Sequence, residues 1–200
     1  KALRHFMTHT LQRVGNLDTA DTDDMAFTLG QFDALMGQCA AHLAHENAFV
    51  HAAIDARSPA GALRTANDHA DHLQSIEALR HEGRALARPP LGQRPLLASR
   101  LYRHLALFVA ENLQHMHYEE TVNNALLWAH YTDAELMQIH ARILAAIGPQ
   151  ELLLTLRWMI PALAPMERAE VLNGMKADMP PEAFLGVVDH IAPHLDPFAW

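Results

Sequence analysis

Residues 101–126 read LYRHLALFVAENLQHMHYEETVNNAL. Stepping through them by threes and fours picks out Leu101, Leu105, Phe108, Asn112, His115, Glu119, Val122 and Leu126, the spacing of one face of an α-helix. That face is apolar at its ends and carries an imidazole and a carboxylate at its centre. Because His115 and Glu119 are four residues apart, their side chains differ by only about 40° of helical rotation and reach the same region beside the helix. An unpaired carboxylate on a core-facing stripe is costly, so it must be neutralised or find a cation.

The same arrangement recurs upstream. Phe32, Leu35, Cys39, His42, Glu46, Phe49 and Ala53 form a second stripe with a His-x-x-x-Glu pair at its centre. A third stripe reads His69, His72, Ile76, Leu79, Gly83 and Leu86. None of the three carries a lysine or arginine to balance the carboxylates. Divalent metals would do so. Nitrogen and oxygen donors without thiolate suit iron, manganese or zinc, and two carboxylates that can bridge favour a dinuclear centre.

Outward from these stripes nearly the whole chain reads as helix, since β-branched residues are sparse and no alternating pattern persists. One helix covers about 1–15. A second runs from the acidic stretch 18–24 to about 57, where Ser58-Pro59-Ala60-Gly61 stops it. A third covers about 62–87 and ends before Pro89-Pro90-Leu91-Gly92. The fourth covers about 96–128. Four long helices with short joins predict an all-α fold, an up-down antiparallel four-helix bundle, over residues 1–130. Beyond Tyr131, Pro149, Pro161, Pro165 and Pro180-Pro181 punctuate shorter helices, so 131–200 is expected to be a helical C-terminal extension.

Composition narrows the function classes. The net charge is −8 with histidine neutral, and the 15 Lys and Arg residues are scattered, which argues against a nucleic-acid partner. No apolar run approaches the roughly 20 residues of a membrane span and no secretory signal is visible. No membrane partner and a cytoplasmic location are therefore expected. The single cysteine, Cys39, excludes a disulfide framework and a thiolate metal site within one chain, and its place on the second stripe suggests a buried structural thiol. Histidine is abundant, 15 residues of 200, and neutral imidazole is a common metal ligand.

His42-x-x-x-Glu46, Asp68-His69-Ala70-Asp71-His72 and His115-x-x-x-Glu119-Glu120 on consecutive helices resemble the hemerythrin-like, HHE cation-binding, family. The resemblance covers about residues 1–130. It implies an up-down four-helix bundle around a non-haem di-iron centre. The implied metal ligands are His42, Glu46, His115 and Glu119 with His69 or His72, a choice the sequence leaves open. It also implies a helix 1 ligand. The stripe Leu3, Met7, Thr10, Val14 and Leu17 places His5 and His9 outward, and its backward extension lands on the position before Lys1, where that ligand is expected.

The function implied is a di-iron protein that binds or senses dioxygen, nitric oxide or redox state, rather than an enzyme. A di-iron oxidase or peroxidase is the alternative. It is less favoured because the pairs here are His-x-x-x-Glu, not the Glu-x-x-His of ferritin-like carboxylate proteins. A metal-free regulatory bundle is the third reading. Residues 131–200 would serve a homodimer or a protein partner. Among the remaining polar residues, His51 with Asp55 reads as a helix-surface pair in preference to a second site, His117 faces away from the core, and Trp128 and Tyr131 cover the bundle end.

Overall fold

The computed structural model describes residues 1–88 and 90–196, except for the side chain of Leu91. The described residues are helical and contain no strand, as the sequence pattern requires of an all-α protein. They divide into two compact units. The larger comprises Met7–Ala146. The other comprises Lys1–Phe6 together with the described residues from Ile147 onward.

In the larger unit, α1 (Ala2–Gly15, its first turn grouped with the other unit) is followed by α2 (Thr22–His45). Asp21 caps α2, its carboxylate accepting from the backbone N–H groups of Asp23 and Asp24 at 2.8 and 3.1 Å, which satisfies donors that the first helical turn leaves unpaired. Arg13 pairs with Asp24 at 2.6 Å. Gln31 donates to the Thr10 hydroxyl at 2.9 Å, so a buried polar pair ties α1 to α2 within an otherwise apolar contact around Met7 and Val14.

The helix expected to run unbroken to 57 is instead interrupted. Glu46–His51 is a π-helical turn, and α3 (Ala52–Arg57) resumes after it. Ser58 leaves the helix, and Ala60 takes a positive φ of 62°. A side chain on Gly61 would strike Ile54 and the Ser58 carbonyl at 2.8 Å, so the turn needs glycine there. α4 (Leu63–Leu86) follows, then a 3-10 turn (Leu91–Gln93), α5 (Arg94–Tyr118), a second π-helical turn (Glu119–Asn123), α6 (Asn124–His130) and α7 (Asp133–Ala146), which packs on the first π turn.

The pairings Phe32 with Gly83 and Glu46 with His69 set α2 against α4 in opposite directions. Glu82 with Arg100 and Asp68 with His115 do the same for α4 and α5. Every residue of the third sequence stripe, His69, His72, Ile76, Leu79, Gly83 and Leu86, is buried, as are Leu101, Leu105, Phe108, Asn112 and His115 of the stripe on α5.

Both predicted stripes fail at the same point, just past the glutamate. A π turn carries one residue more than an α turn, so the inward position moves one residue along. Val122, expected inside, is 37% exposed while Asn123 is buried. On the other helix Phe49 is only half-buried, and His51 and Ile54 turn inward, while the expected Ala53 stays buried beside them. The expected surface pair of His51 with Asp55 is thereby corrected. The Asp55 carboxylate instead accepts from the Ala62 N–H at 3.2 Å.

In the other unit, α8 (Pro149–Ala162), α9 (Pro165–Asp178) and α10 (Pro181–Ile191) each open on proline, which fits the first helical turn because its missing N–H is not needed there. Leu156, Ile160, Val187, Ile191 and Leu195 form its core. Phe6 stacks on Trp158 with centroids 4.1 Å apart, and His5 meets the same indole edge-on at 5.4 Å. His5 is therefore half-buried rather than outward-facing. Among the described residues, no single helix is long and apolar enough to cross a membrane.

Candidate metal centre

Four side chains converge where α2, α4 and α5 meet. Glu46, His69, His115 and Glu119 each present a donor atom, and the four atoms lie within 4.8 Å of one another. His69 is central and only 1% exposed. Its Nε2 lies 2.9 Å from His115 Nε2 and 3.5 Å from both Glu46 Oε2 and Glu119 Oε1. His115 Nε2 is 3.1 Å from Glu119 Oε1.

The far sides of the two rings fix their tautomers. His69 Nδ1 is 2.8 Å from Asn47 Oδ1, and His115 Nδ1 is 3.2 Å from Asp68 Oδ2. Both partners are acceptors, so each Nδ1 carries the proton and donates it. In the neutral rings each Nε2 is then left with a lone pair directed into the cluster, and a proton added to either ring sits there and is donated to Glu119. Hydrogen bonding of one ring nitrogen to leave the other as donor is the usual device of metal-ligating histidine. Two lone pairs 2.9 Å apart repel unless a proton or a cation sits between them.

Electrostatics point the same way. The Glu46 carboxyl is held well above its ordinary value by burial and by the neighbouring Glu119, and its Oε2 accepts no hydrogen bond. Burial also acts upward on Glu119, but hydrogen bonds from His115 and His69 and the charges around it hold it well below the carboxylate range. Burial would lower His115, yet the hydrogen bonds and charges of Glu119 and Asp68 raise it. Two acids and two imidazoles thus compete for too few protons, the condition a bound divalent ion relieves. The donors are nitrogen and oxygen, and the cysteine Cys39 is not in the cluster, so the set fits the hard-to-intermediate metals iron, manganese and zinc.

The remaining sequence candidates lie at the edge. His42 Nε2 is 3.3 Å from Glu46 Oε2, with the His42 side chain 36% exposed. Burial and the nearby imidazoles lower it to about 4 despite Glu119. His72 is buried, edge-on to the His115 ring with centroids 4.9 Å apart, and its Nδ1 has no partner. Burial, then His115 and His69, bring it to about 4. Of the two α4 histidines it is His69 that belongs to the group of four.

The roles of three residues escaped the sequence reading. Asn47 and Asp68 orient the two central rings. His51 is buried, stacks on His69 with centroids 4.6 Å apart at 24°, and has no hydrogen-bond partner at either ring nitrogen. Asp68 stood inside the quoted motif, one residue before His69. For His51 the only available signal was its place among the histidines following Glu46, because the π turn that buries it leaves no trace in the stripe.

Tyr131, expected over the bundle end, donates its hydroxyl to the Ala53 carbonyl at 2.7 Å and lies under the Arg57 guanidinium. Trp128 is 68% exposed and covers less than expected.

Fold and site together define the class: an all-α protein with a His/Glu group, its histidines buried and its glutamates half-buried, that could hold a metal ion. The chain matches no protein-family model, no curated protein and no solved structure.

Proposed function

We propose that this protein is a non-haem iron protein of the hemerythrin-like kind, with a di-iron centre in an up-down four-helix bundle, that binds or senses dioxygen or nitric oxide. The observation that carries the reading is the convergence of Glu46, His69, His115 and Glu119 within 4.8 Å, two carboxylates and two Nε2 lone pairs in one buried place. The proposed ligand set is His42, Glu46, His69, His72, His115 and Glu119, with manganese or zinc as the competing occupants. Bound iron would supply an open coordination position and two accessible oxidation states. The chain's own part is to hold the rings in the Nδ1-protonated tautomer through Asn47 and Asp68 and to keep Glu46 and Glu119 available at low dielectric. Residues 131–200 are proposed as the element that docks a partner or a second copy, and the cytoplasm as the location.

The test is anaerobic loading with Fe(II), elemental analysis and optical spectroscopy. Two irons per chain, with a spectral change on adding dioxygen or nitric oxide that reverses on removal, is the expected result. Well under one metal per chain after loading overturns the reading. Steady consumption of peroxide or oxygen with a reductant would instead favour an oxidase or peroxidase.

A further inference from the structure

We propose that His51 is a further nitrogen ligand of the centre and holds a second ion against Glu46 and Glu119, on the side of His69 that faces Thr65. The proposal rests on the metal-binding reading above and assigns a residue outside that ligand set.

Four observations converge on it. First, His51 is 5% exposed and both ring nitrogens lack a partner. A neutral imidazole has one donor and one acceptor to satisfy, and burying both unsatisfied is costly. Among buried histidines with orphaned nitrogens, His72 has one such atom and His51 has two.

Second, the position is built rather than incidental. The residue is brought inward by the π-helical turn Glu46–His51 that begins at the Glu46 donor itself. π turns are rare and concentrate at functional sites. The other His-x-x-x-Glu pair ends in the same device, Glu119–Asn123, so the two helices carry the same distortion at the same point of the motif.

Third, the location suits a second ion and not the first. His51 stacks on His69 at 4.6 Å, yet it is not one of the four residues whose donor atoms lie within 4.8 Å of one another. Two donors on one ion lie at most about 4.2 Å apart, twice a bond of about 2.1 Å. Such a donor cannot share one ion with all four, so an ion held by His51 is a neighbouring one, and carboxylates with two oxygens each can serve both.

Fourth, the same side offers oxygen. Asn123, from the second π turn, is buried. Its amide nitrogen donates to Thr65 Oγ1 at 3.2 Å, and its Oδ1 has no partner. Thr65 lies one turn before His69 on α4, and because the helix carrying Glu46 runs antiparallel to α4, His51, five residues past Glu46, falls towards that same end.

The experiment compares the full chain with His51→Leu, using Fe(II) alone as the probe, loaded anaerobically and desalted before elemental analysis. His117→Ala, at an exposed position, is the control. The expected loading is two ions for the wild type and the control, and one for His51→Leu. The metal-free His51→Leu chain should melt at the same temperature as the wild type or higher, since leucine removes two unsatisfied polar atoms. His51→Gln provides a second variant with a polar side chain and should also load one ion.

Equal loading of wild type and both His51 variants overturns the proposal while leaving the metal centre standing. A wild type that saturates at one ion also overturns it. So does a metal-free His51→Leu chain that melts lower than wild type with loading unchanged, which marks the imidazole as structural. A wild type that takes up no iron overturns both this proposal and the reading it rests on.

Discussion

His69 and His115 face each other through their Nε2 atoms at 2.9 Å, each ring anchored from behind by an acceptor on its Nδ1, Asn47 for the one and Asp68 for the other. The anchors decide which nitrogen is free, and the free nitrogens point at Glu46 and Glu119. Substituting an anchor should therefore weaken metal binding without touching a ligand. Asp68→Ala and Asn47→Ala are each expected to lower affinity by about 10- to 100-fold, the usual effect of losing such a support. Competition against a chromophoric chelator measures it. An unchanged affinity in both variants would show that the tautomers are not set this way.

His115→Ala removes a proposed ligand and also three contacts, to Asp68, His69 and Glu119. The expected outcome is loss of metal from one position and a less stable fold, by about 1–3 kcal/mol for polar groups left short of a partner in a buried place. Elemental analysis and urea unfolding give the two numbers. Glu119→Gln keeps the shape and removes the charge, so it should lower metal loading with a smaller loss of stability.

Without metal the centre should make the protein acid-sensitive. His42 and His72 fall to about 4 in the folded chain, against an ordinary 6.5. Between those values the unfolded chain binds protons that the folded one refuses, so stability must fall as pH drops from about 6.5 to 4. His115 opposes this. Its raised value gives stability that is fully present below the ordinary histidine range and lost as pH rises through the folded value. Glu119, held low, stabilises above the ordinary carboxylate value and loses that contribution as pH falls towards its folded value. Glu46, raised to about 9, gains stability as pH falls through this range, but the two rings of His42 and His72 outweigh it, so the urea midpoint of the metal-free chain should decline from pH 6.5 to 4.5, with Glu119 adding to the loss only below the ordinary carboxylate value. A flat profile would mean that the rings are not buried as neutral groups.

The stripes on α2, α4 and α5 were legible because a helical core face repeats every three to four residues, and Leu35, Ile76, Leu79, Leu101 and Phe108 keep that beat. The polar interruptions at Glu46, His69, His115 and Glu119 were legible for the same reason, since a charged residue on such a face has few bland explanations. His51 and Asn123 were not, because a π turn shifts the inward position by one residue and nothing in local composition announces it. Asn47 was hidden differently. It is exposed on its own helix and earns its role only from the ring of His69 across the interface, a relationship between helices that no single-helix pattern contains.

Cys39 gives a test of the core beside the centre. It is 2% exposed, and burial pushes its thiol up to about 12 despite the charge of Arg80. Since the thiolate is the reactive form, a thiol reagent at pH 8 should leave the native chain unmodified for hours and label one thiol per chain at once in urea. Rapid labelling of the native chain would show that this part of α2 opens to solvent.

Gly83 sets how closely α4 approaches α2. A Cβ there would lie 2.8 Å from Cε1 of Phe32, a ring only 2% exposed and so confined by its neighbours. Two effects compete in Gly83→Ala. Alanine favours the helix by about 1 kcal/mol over glycine, while forcing an extra carbon into a packed core costs about 1–3 kcal/mol. Because Phe32 is held on all sides, the clash should win, leaving a net loss of about 1 kcal/mol in urea unfolding. Phe32→Leu in the same background should recover part of that loss by vacating the position the ring edge occupied. The glycine lies more than three helical turns from His69 on the same helix, so the displacement should reach the centre only weakly and iron loading should stay close to wild type. Stability equal to or above wild type in Gly83→Ala would show that the two helices part freely at this contact, and that the close packing of α4 on α2 does not depend on the missing side chain.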